Sequence, residues 1–271
     1  MSDAVSIPAL TPLSDDGWRR LALQMQAATG LTLPEASARL VAARLAPRLR
    51  RLGLADFEDY LPLLAGAELQ TALDLLTETS AGFFREPAPF DVLETELSRL
   101  RPQRPRLWSA AAGGGDEAYS LAMVMADLQN AGRVGADWQV LGTDVNERRL
   151  RSAAEAVYPA SRLRQVAPER LRRHTVASGG TGLVQVQAGL RERVRFERHD
   201  LRAPLPGRLG FDAIWLCQAL VYFDAATRRG VLSQVLARLN AGGLIVVGAA
   251  EAGLVAVPGL TALGGGVFRK T

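Results

Sequence analysis

A strand-like run, "RLWSAAA", leads into Gly113-Gly114-Gly115 and then into two acids, Asp116 and Glu117, at the start of a helical stretch. Glycines at a strand-to-helix turn let a ligand come against the backbone, at the sheet edge where open α/β folds bind ligands. Taken alone, such a turn is equally consistent with a tight structural bend. Two further acids shift the balance. Asp144 closes the strand-like "VLGTD", where such folds place an acid to accept from both ribose hydroxyls. Asp200 ends "RFERHD", the position of an adenine-binding residue. Gly, Asp and Asp at three strand ends point to an adenosine ligand. Phosphate is disfavoured, because no Lys-Ser/Thr follows the glycines and the acids at the helix start repel it. An acidic pair suits a ligand with a cationic end. S-adenosylmethionine, with an ammonium, a sulfonium and a ribose, meets these requirements.

The elements that must position these residues alternate. Strand-like runs "RLWSAAA", "WQVLGTD", "VRFERHD", "FDAIWLC" and "GGLIVVGA" are separated by helical "EAYSLAMVMADLQNAG", "NERRLRSAAEAVY" and "AATRRGVLSQVLARLN". Short apolar strands alternating with helices predict a doubly wound, mostly parallel sheet covered on both faces. "GGTGLVQVQAGLRERVRFE" alternates at period two, which predicts a small antiparallel β insertion over about residues 178–198. The first 78 residues read as a small all-helical domain, residues 79–105 as a connector and 106–271 as the α/β domain. Within the helical part, Pro34 sits near a helix start and Gly53 just past its end. Pro47 is expected to kink or split that helix. Arg39, Arg44, Arg48, Arg50 and Arg51 lie along it, either as a solvated face or as a docking surface for something acidic.

Composition narrows the class. Of 271 residues, 48% are hydrophobic and 22% charged, the balance of a soluble globular protein. The longest apolar candidate, "LIVVGAAEAGLVAV", is too short to cross a bilayer and carries Glu251. The first residues have acids and prolines where a signal peptide would be basic and then apolar, so a cytoplasmic location is expected. A lone Cys217 excludes an internal disulfide and a cysteine-rich metal site, and no metal is expected. The net charge is +4 and Lys270 is the only lysine. No basic stripe interleaved with aromatics marks a nucleic-acid surface, and the Asn/Asp-Pro-Pro-aromatic motif of base-modifying enzymes is missing. His174 and His199 read as structural or surface residues.

"GFFREP", "WSAAAGGGDEAYSLAM", "GTDVNERRLRSAAEAVY", "FDAIWLCQALVYFD" and "LNAGGLIVVGAAE", in this order and spacing, resemble the chemotaxis-receptor glutamate O-methyltransferases, the CheR family. "LPEASARLVAARLAPRLRRLGLADFEDYLPLL" resembles that family's helical domain, so the likeness spans almost the whole chain. It implies a class I S-adenosylmethionine-dependent methyltransferase fold. It also implies a reaction, esterification of glutamate side chains on the cytoplasmic helical region of a methyl-accepting chemoreceptor, by a monomer that neither binds nucleic acid nor inserts in a membrane.

The resemblance assigns Arg85 to the neighbourhood of the reacting methyl and the substrate carboxylate, with Phe83 and Phe84 anchoring the connector. Tyr222 would stand beside the methyl, Glu117 would meet the ammonium, Asp144 the ribose, and Asp200 with Leu201 the adenine. Thr79, Gly113, Cys217 and Gln218, together with Arg85 itself, complete the cofactor's surroundings. There are departures. Ala81 stands where the family often has a hydroxyl, Cys217-Gln218 where it has Arg-Asn, and Ala249-Ala250 where it has His-Ser. They leave open an alternative: a catalytically weakened module that binds S-adenosylmethionine or S-adenosylhomocysteine and signals through protein contacts.

Overall fold

A computed structural model describes residues 12–30, 32–66, 68–76 and 82–271. Thr79, Ala81 and the expected boundary at 78/79 lie outside the described residues. The chain forms two compact units, Met1–Thr79 with Tyr222–Asp224, and Ser80–Val221 with Ala225–Thr271. Among the described residues, no helix is long and apolar enough to cross a membrane.

The helical unit contains α1 (Asp15–Thr29), α2 (Ala38–Arg51) and α3 (Glu68–Leu76). The Ser14 side chain accepts from Gly17 N at the start of α1, and Gly30, at φ 73°, ends it. Trp18, Leu21 and Met25 of α1 and Val41, Leu45 and Leu49 of α2 are buried, the spacing of one face of a helix. Pro47 does not split α2. It lies on the exposed side, where the helix loses one backbone bond and the ring meets solvent rather than a neighbour.

Two of the five arginines are not free to dock a partner. Arg44 Nη1 donates to Leu76 O (2.6 Å), and Arg48 forks onto both oxygens of Glu68 (2.7 Å each). Tyr60 donates to the same carboxylate (3.0 Å). These contacts tie α2 to α3, and the Arg48 fork holds Glu68 below the usual carboxylate range. Arg39, Arg50 and Arg51 are exposed.

Among its described residues the second unit has ten strands: β1 (Arg106–Ser109), β2 (Gln139–Asp144), β3 (Val157–Pro159), β4 (Thr175–Ala177), β5 (Leu183–Val186), β6 (Val194–Arg198), β7 (Phe211–Leu216), β8 (Leu239–Val247), β9 (Leu260–Gly264) and β10 (Val267–Lys270). Its helices are α4 (Pro87–Leu100), α5 (Asp116–Asn130), α6 (Glu147–Glu155), α7 (Pro168–His174), α8 (Ala188–Arg191) and α9 (Ala225–Leu236). Seven strands form one sheet in the order β6-β2-β1-β7-β8-β10-β9. β6, β2, β1, β7 and β8 run parallel, and β10 is antiparallel to both neighbours. Ala213–Leu216 of β7 and Leu244–Val247 of β8 are buried without interruption, as expected for strands covered on both faces.

The antiparallel sheet differs from the expectation. It is β3-β5-β4, spanning Val157 to Val186, and Val194–Arg198 belongs to the main sheet. Period-two alternation marks strands exposed on one face, and β6 alternates because it is an edge strand, not because it is antiparallel.

Chain order reverses between β1 and β7: successive strands run outward one way through β2 and β6, and the other way through β8. Crossovers leave β1 and β7 toward opposite sides, which opens a crevice at their C-terminal ends. Open α/β sheets bind ligands there.

Candidate functional site

The crevice is floored by the Gly113–Gly115 turn. Ala110 N donates to Trp215 O (2.7 Å) and Ala112 N to Thr143 O (2.8 Å), so β7 and β2 both hold the segment that leaves β1. Gly113 N then donates to Asp144 Oδ2 (2.8 Å), and Asn146 N to Asp144 Oδ1 (2.8 Å). The Asp144 carboxylate therefore fixes the turn while each oxygen retains a lone pair for another donor. Gly115 sits at φ 87°, and a Cβ there would come 2.8 Å from the Ala153 Cβ and 2.9 Å from the Tyr158 hydroxyl. Only glycine meets both demands. Tyr158 also donates to Gly114 O (2.8 Å).

Two acids open α5. Asp116 is buried and paired with Arg162 (3.0 Å), and its carboxyl is raised by burial despite that partner. Glu117 is different. Burial, with Asp116, Glu86 and Glu251 nearby, pushes its carboxyl up to about 8, and Arg85 only partly offsets this. The site favours a cation at Glu117.

The connector answers what two phenylalanines and an arginine do between domains. Phe83 and Phe84 are buried in the core of the sheet unit. Phe83 packs edge-on to Tyr158 at 5.0 Å, and Phe84 lies 4.7 Å from Phe90 and 4.9 Å from the Arg170 guanidinium. Each buried ring is worth about 1.5–3 kcal/mol, enough to clamp a short segment. Phe83 N donates to Arg162 O (3.0 Å) and Phe84 N to Ser120 Oγ (3.0 Å). Phe84 adopts φ 51°, a left-handed turn that sends the next side chain outward. Arg85 is accordingly exposed, and its Nη1 donates to Gln218 Oε1 (2.5 Å). Glu86 accepts from Ala249 N (3.0 Å).

At the end of β7, Cys217 is half-buried. Burial pushes its thiol well above the ordinary value, and the acids around it add to the effect, so it is an apolar wall rather than a nucleophile. Gln218 follows at φ 55°. Leu201 is buried. Asp200 is half-buried, and Arg202 folds back on it: Nε lies 3.1 Å and 3.0 Å from the two oxygens and Nη2 2.6 Å from Oδ2. Burial alone would raise Asp200, but Arg202 reverses this and leaves it below the usual range. The expected acceptor for the adenine amino group is thus already engaged by a guanidinium two residues on. Tyr222 belongs to the helical unit, where its carbonyl accepts from Thr32 N (2.5 Å). Within the sheet unit the structure brings Arg85 to Gln218 and Gly113 to Asp144. It sets Glu117 and Cys217 in the field of Arg85, Glu86 and Glu251, while Asp200, next to the buried Leu201, is paired with Arg202. His174 is buried and bonded to Asp127 (2.8 Å), and the His199 ring lies 6.1 Å from that of Trp108, tilted by 56°.

Sequence reasoning missed Glu251 as a member of the site. It is 2% exposed and accepts from Gln218 N (2.6 Å), Gly248 N (3.1 Å) and Val221 N (3.2 Å). A signal was present: a lone acid inside an apolar run must find partners if it is buried.

The residues present fit S-adenosylmethionine at its cationic and ribose ends: Glu117 is an acid lacking a sufficient counter-ion, Asp144 has lone pairs aimed from the turn, and glycines let the ligand reach the backbone. A seven-stranded sheet in this order with one reversed strand, and an acid-lined crevice at its switch point, define a class I S-adenosylmethionine-dependent methyltransferase. The chain belongs to the CheR methyltransferase family: residues 79–257 match the family's SAM-binding domain and residues 16–77 its all-alpha domain. It is 35% identical over 249 residues to the chemotaxis protein methyltransferase of Klebsiella aerogenes, covering 89% of this chain and 84% of the relative. It is 34% identical over 248 residues to those of Salmonella typhimurium and Escherichia coli, covering 88% of this chain in each case and 84% and 85% of the relatives. S-adenosylmethionine is its cofactor.

Proposed function

We propose that this chain transfers methyl groups to glutamate side chains on the helical cytoplasmic region of a chemoreceptor. The observation that carries this reading is an acid set suited to a cation, next to one guanidinium, Arg85, presented to solvent from a clamped connector. A planar guanidinium matches a carboxylate in two-pronged fashion. The relatives named as chemotaxis protein methyltransferases support the biological setting.

S-adenosylmethionine supplies the electrophilic methyl. A glutamate carboxylate is ionised near neutral pH, with a reference pKa of about 4.3, so no residue of the chain has to remove a proton. The chain's work is orientation and exclusion of water. Arg85 orients the incoming carboxylate, Glu117 holds the ammonium, Asp144 the ribose hydroxyls, and the Gly113 turn lets the ligand approach. Leu201 and Cys217 wall the crevice, and Gln218 steadies Arg85. Thr79 and Tyr222 take their cofactor-side and methyl-side roles from the family resemblance. On α2, Arg39, Arg50 and Arg51 are the cations that remain to meet an acidic receptor surface.

One observation favours a second reading, a cofactor-binding signalling module: a half-buried thiol at Cys217 stands where the family has an arginine. A transfer assay with labelled cofactor and receptor fragments separates the two. The parent should form base-labile esters, and Arg85→Lys should lower turnover by about 100-fold, the scale of a misplaced reacting group, with S-adenosylhomocysteine affinity kept within about threefold. A parent that binds S-adenosylhomocysteine but esterifies no fragment is a signalling module.

A further inference from the structure

Glu251 has no part in the roles assigned above, yet with Asp116 it is one of two carboxylates at the switch point that are only 2% exposed. Three backbone N–H groups surround it, from the ends of both β7 and β8: Gln218 N at 2.6 Å, Gly248 N at 3.1 Å and Val221 N at 3.2 Å. A carboxylate that accepts from several backbone amides makes charge-assisted bonds and fixes those amides in direction. The shortest of the three falls on Gln218. That residue is held at φ 55°, a left-handed conformation costly for a residue that is neither Gly nor Asn. Such a conformation persists only where surrounding contacts over-determine it. One contact that bears on it directly is the bond from its N–H to Glu251 Oε2. The conformation matters because the Gln218 side chain accepts from Arg85 Nη1.

We propose that Glu251 is a positioning residue for methyl transfer: its carboxylate locks Gln218 in the left-handed conformation, and Gln218 in turn sets the guanidinium of Arg85. The chain runs from a buried carboxylate through a strained backbone to an exposed guanidinium, each link a hydrogen bond. It explains how Gln218, longer than the asparagine the resemblance leads one to expect, still presents its amide oxygen to Arg85. It also explains an acid in a stretch that is otherwise apolar. The proposal rests on the methyl-transfer reading for its consequence, and on geometry alone for the chain of contacts.

The test uses the full chain and two variants. Glu251→Gln keeps shape and volume but turns an NH2 toward backbone donors, and Gln218→Ala removes the relay. Turnover on a receptor fragment should fall at least tenfold in each, while Glu251→Gln still binds S-adenosylhomocysteine one per chain with affinity within threefold. The double variant should be no worse than the poorer single, because both changes cut the same path. A residue needed only for folding would instead lower the binding stoichiometry, and its loss would add to that of Gln218. In the free protein, the Arg85 Nε–H resonance, assigned with Arg85→Lys, should shift to the same new position in Glu251→Gln and in Gln218→Ala. That readout does not need activity. If the parent esterifies nothing, the functional reading fails while the resonance still decides the contact chain. An unmoved Arg85 resonance in Glu251→Gln, parental turnover in that variant, or additive losses in the double variant would overturn the proposal.

Discussion

Glu68 and Glu117 are both glutamates near a helix start, both screened from water, and their surroundings push them in opposite directions. Glu68 in the helical unit is forked by Arg48 and bonded by Tyr60, and its carboxyl lies below the usual range. Glu117 in the sheet unit is surrounded by Asp116, Glu86 and Glu251, with Arg85 as the opposing charge, and rises to about 8. The first cluster is closed: its charges satisfy one another and its work is to fasten α2 to α3. The second is open, in a crevice at a topological switch point. A perturbed carboxyl is therefore not in itself the mark of a site. The informative difference is whether the fold has supplied the partner or left the acid to a ligand.

The largest effect that would sharpen this contrast is at Asp144. Asp144→Ala removes the acceptor proposed for two ribose hydroxyls and frees Gly113 N, and each charge-assisted bond is worth about 1.5–3 kcal/mol. Calorimetry should show S-adenosylhomocysteine bound at least tenfold more weakly. Equal affinities would remove Asp144 from the open cluster.

A smaller effect belongs to the closed cluster. Arg48→Ala leaves Glu68 and Tyr60 without their cation, and a half-buried pair of this kind contributes about 1–2 kcal/mol, between the exposed and the buried limits. Urea unfolding followed on the helical signal should register that loss, with S-adenosylhomocysteine affinity unchanged. Unchanged stability with weaker receptor binding would instead make Arg48 a docking residue. The pH dependences should run oppositely. The depressed carboxyl of Glu68 stabilises the fold above its unfolded pKa near 4.5, and that stability is lost as pH falls through its lower folded value. For Glu117 the folded value is raised, so the cofactor-free protein loses stability as pH climbs from about 4.5 toward about 8. Acid and alkaline unfolding of Arg48→Ala and Glu117→Gln separate the two: the first variant should flatten the acid limb, the second the neutral-to-alkaline one.

Much of the sheet unit was legible in the sequence because its strands obey local rules. Continuous apolar runs gave β7 and β8, and a glycine turn with an acid at the next strand end located Asp144. What was not legible depends on partners distant in sequence. Nothing local shows that Arg202 folds back onto Asp200, or that Arg44 and Arg48 turn inward to Leu76 and Glu68 rather than out to solvent. β3 and β4 are three residues each, too short for a periodic signal, so the antiparallel sheet was displaced toward the one strand that alternates clearly. Glu251 was visible only as an anomaly. Its meaning required knowing that the ends of β7 and β8 meet.

The central claim is that Glu117 is the open acid, awaiting the cofactor's ammonium. At pH 7 a carboxyl with a pKa of about 8 is mostly protonated, and binding a cation requires it to ionise, so its proton must leave. Calorimetry of S-adenosylhomocysteine binding in two buffers of different ionisation enthalpy measures that proton directly. The parent should release a large fraction of one proton per ligand at pH 7, and progressively less as pH rises past 8. Glu117→Gln should bind more weakly and release none from this position. A parent that binds with no proton release at pH 7, or a Glu117→Gln variant that releases as many protons as the parent, would contradict the account.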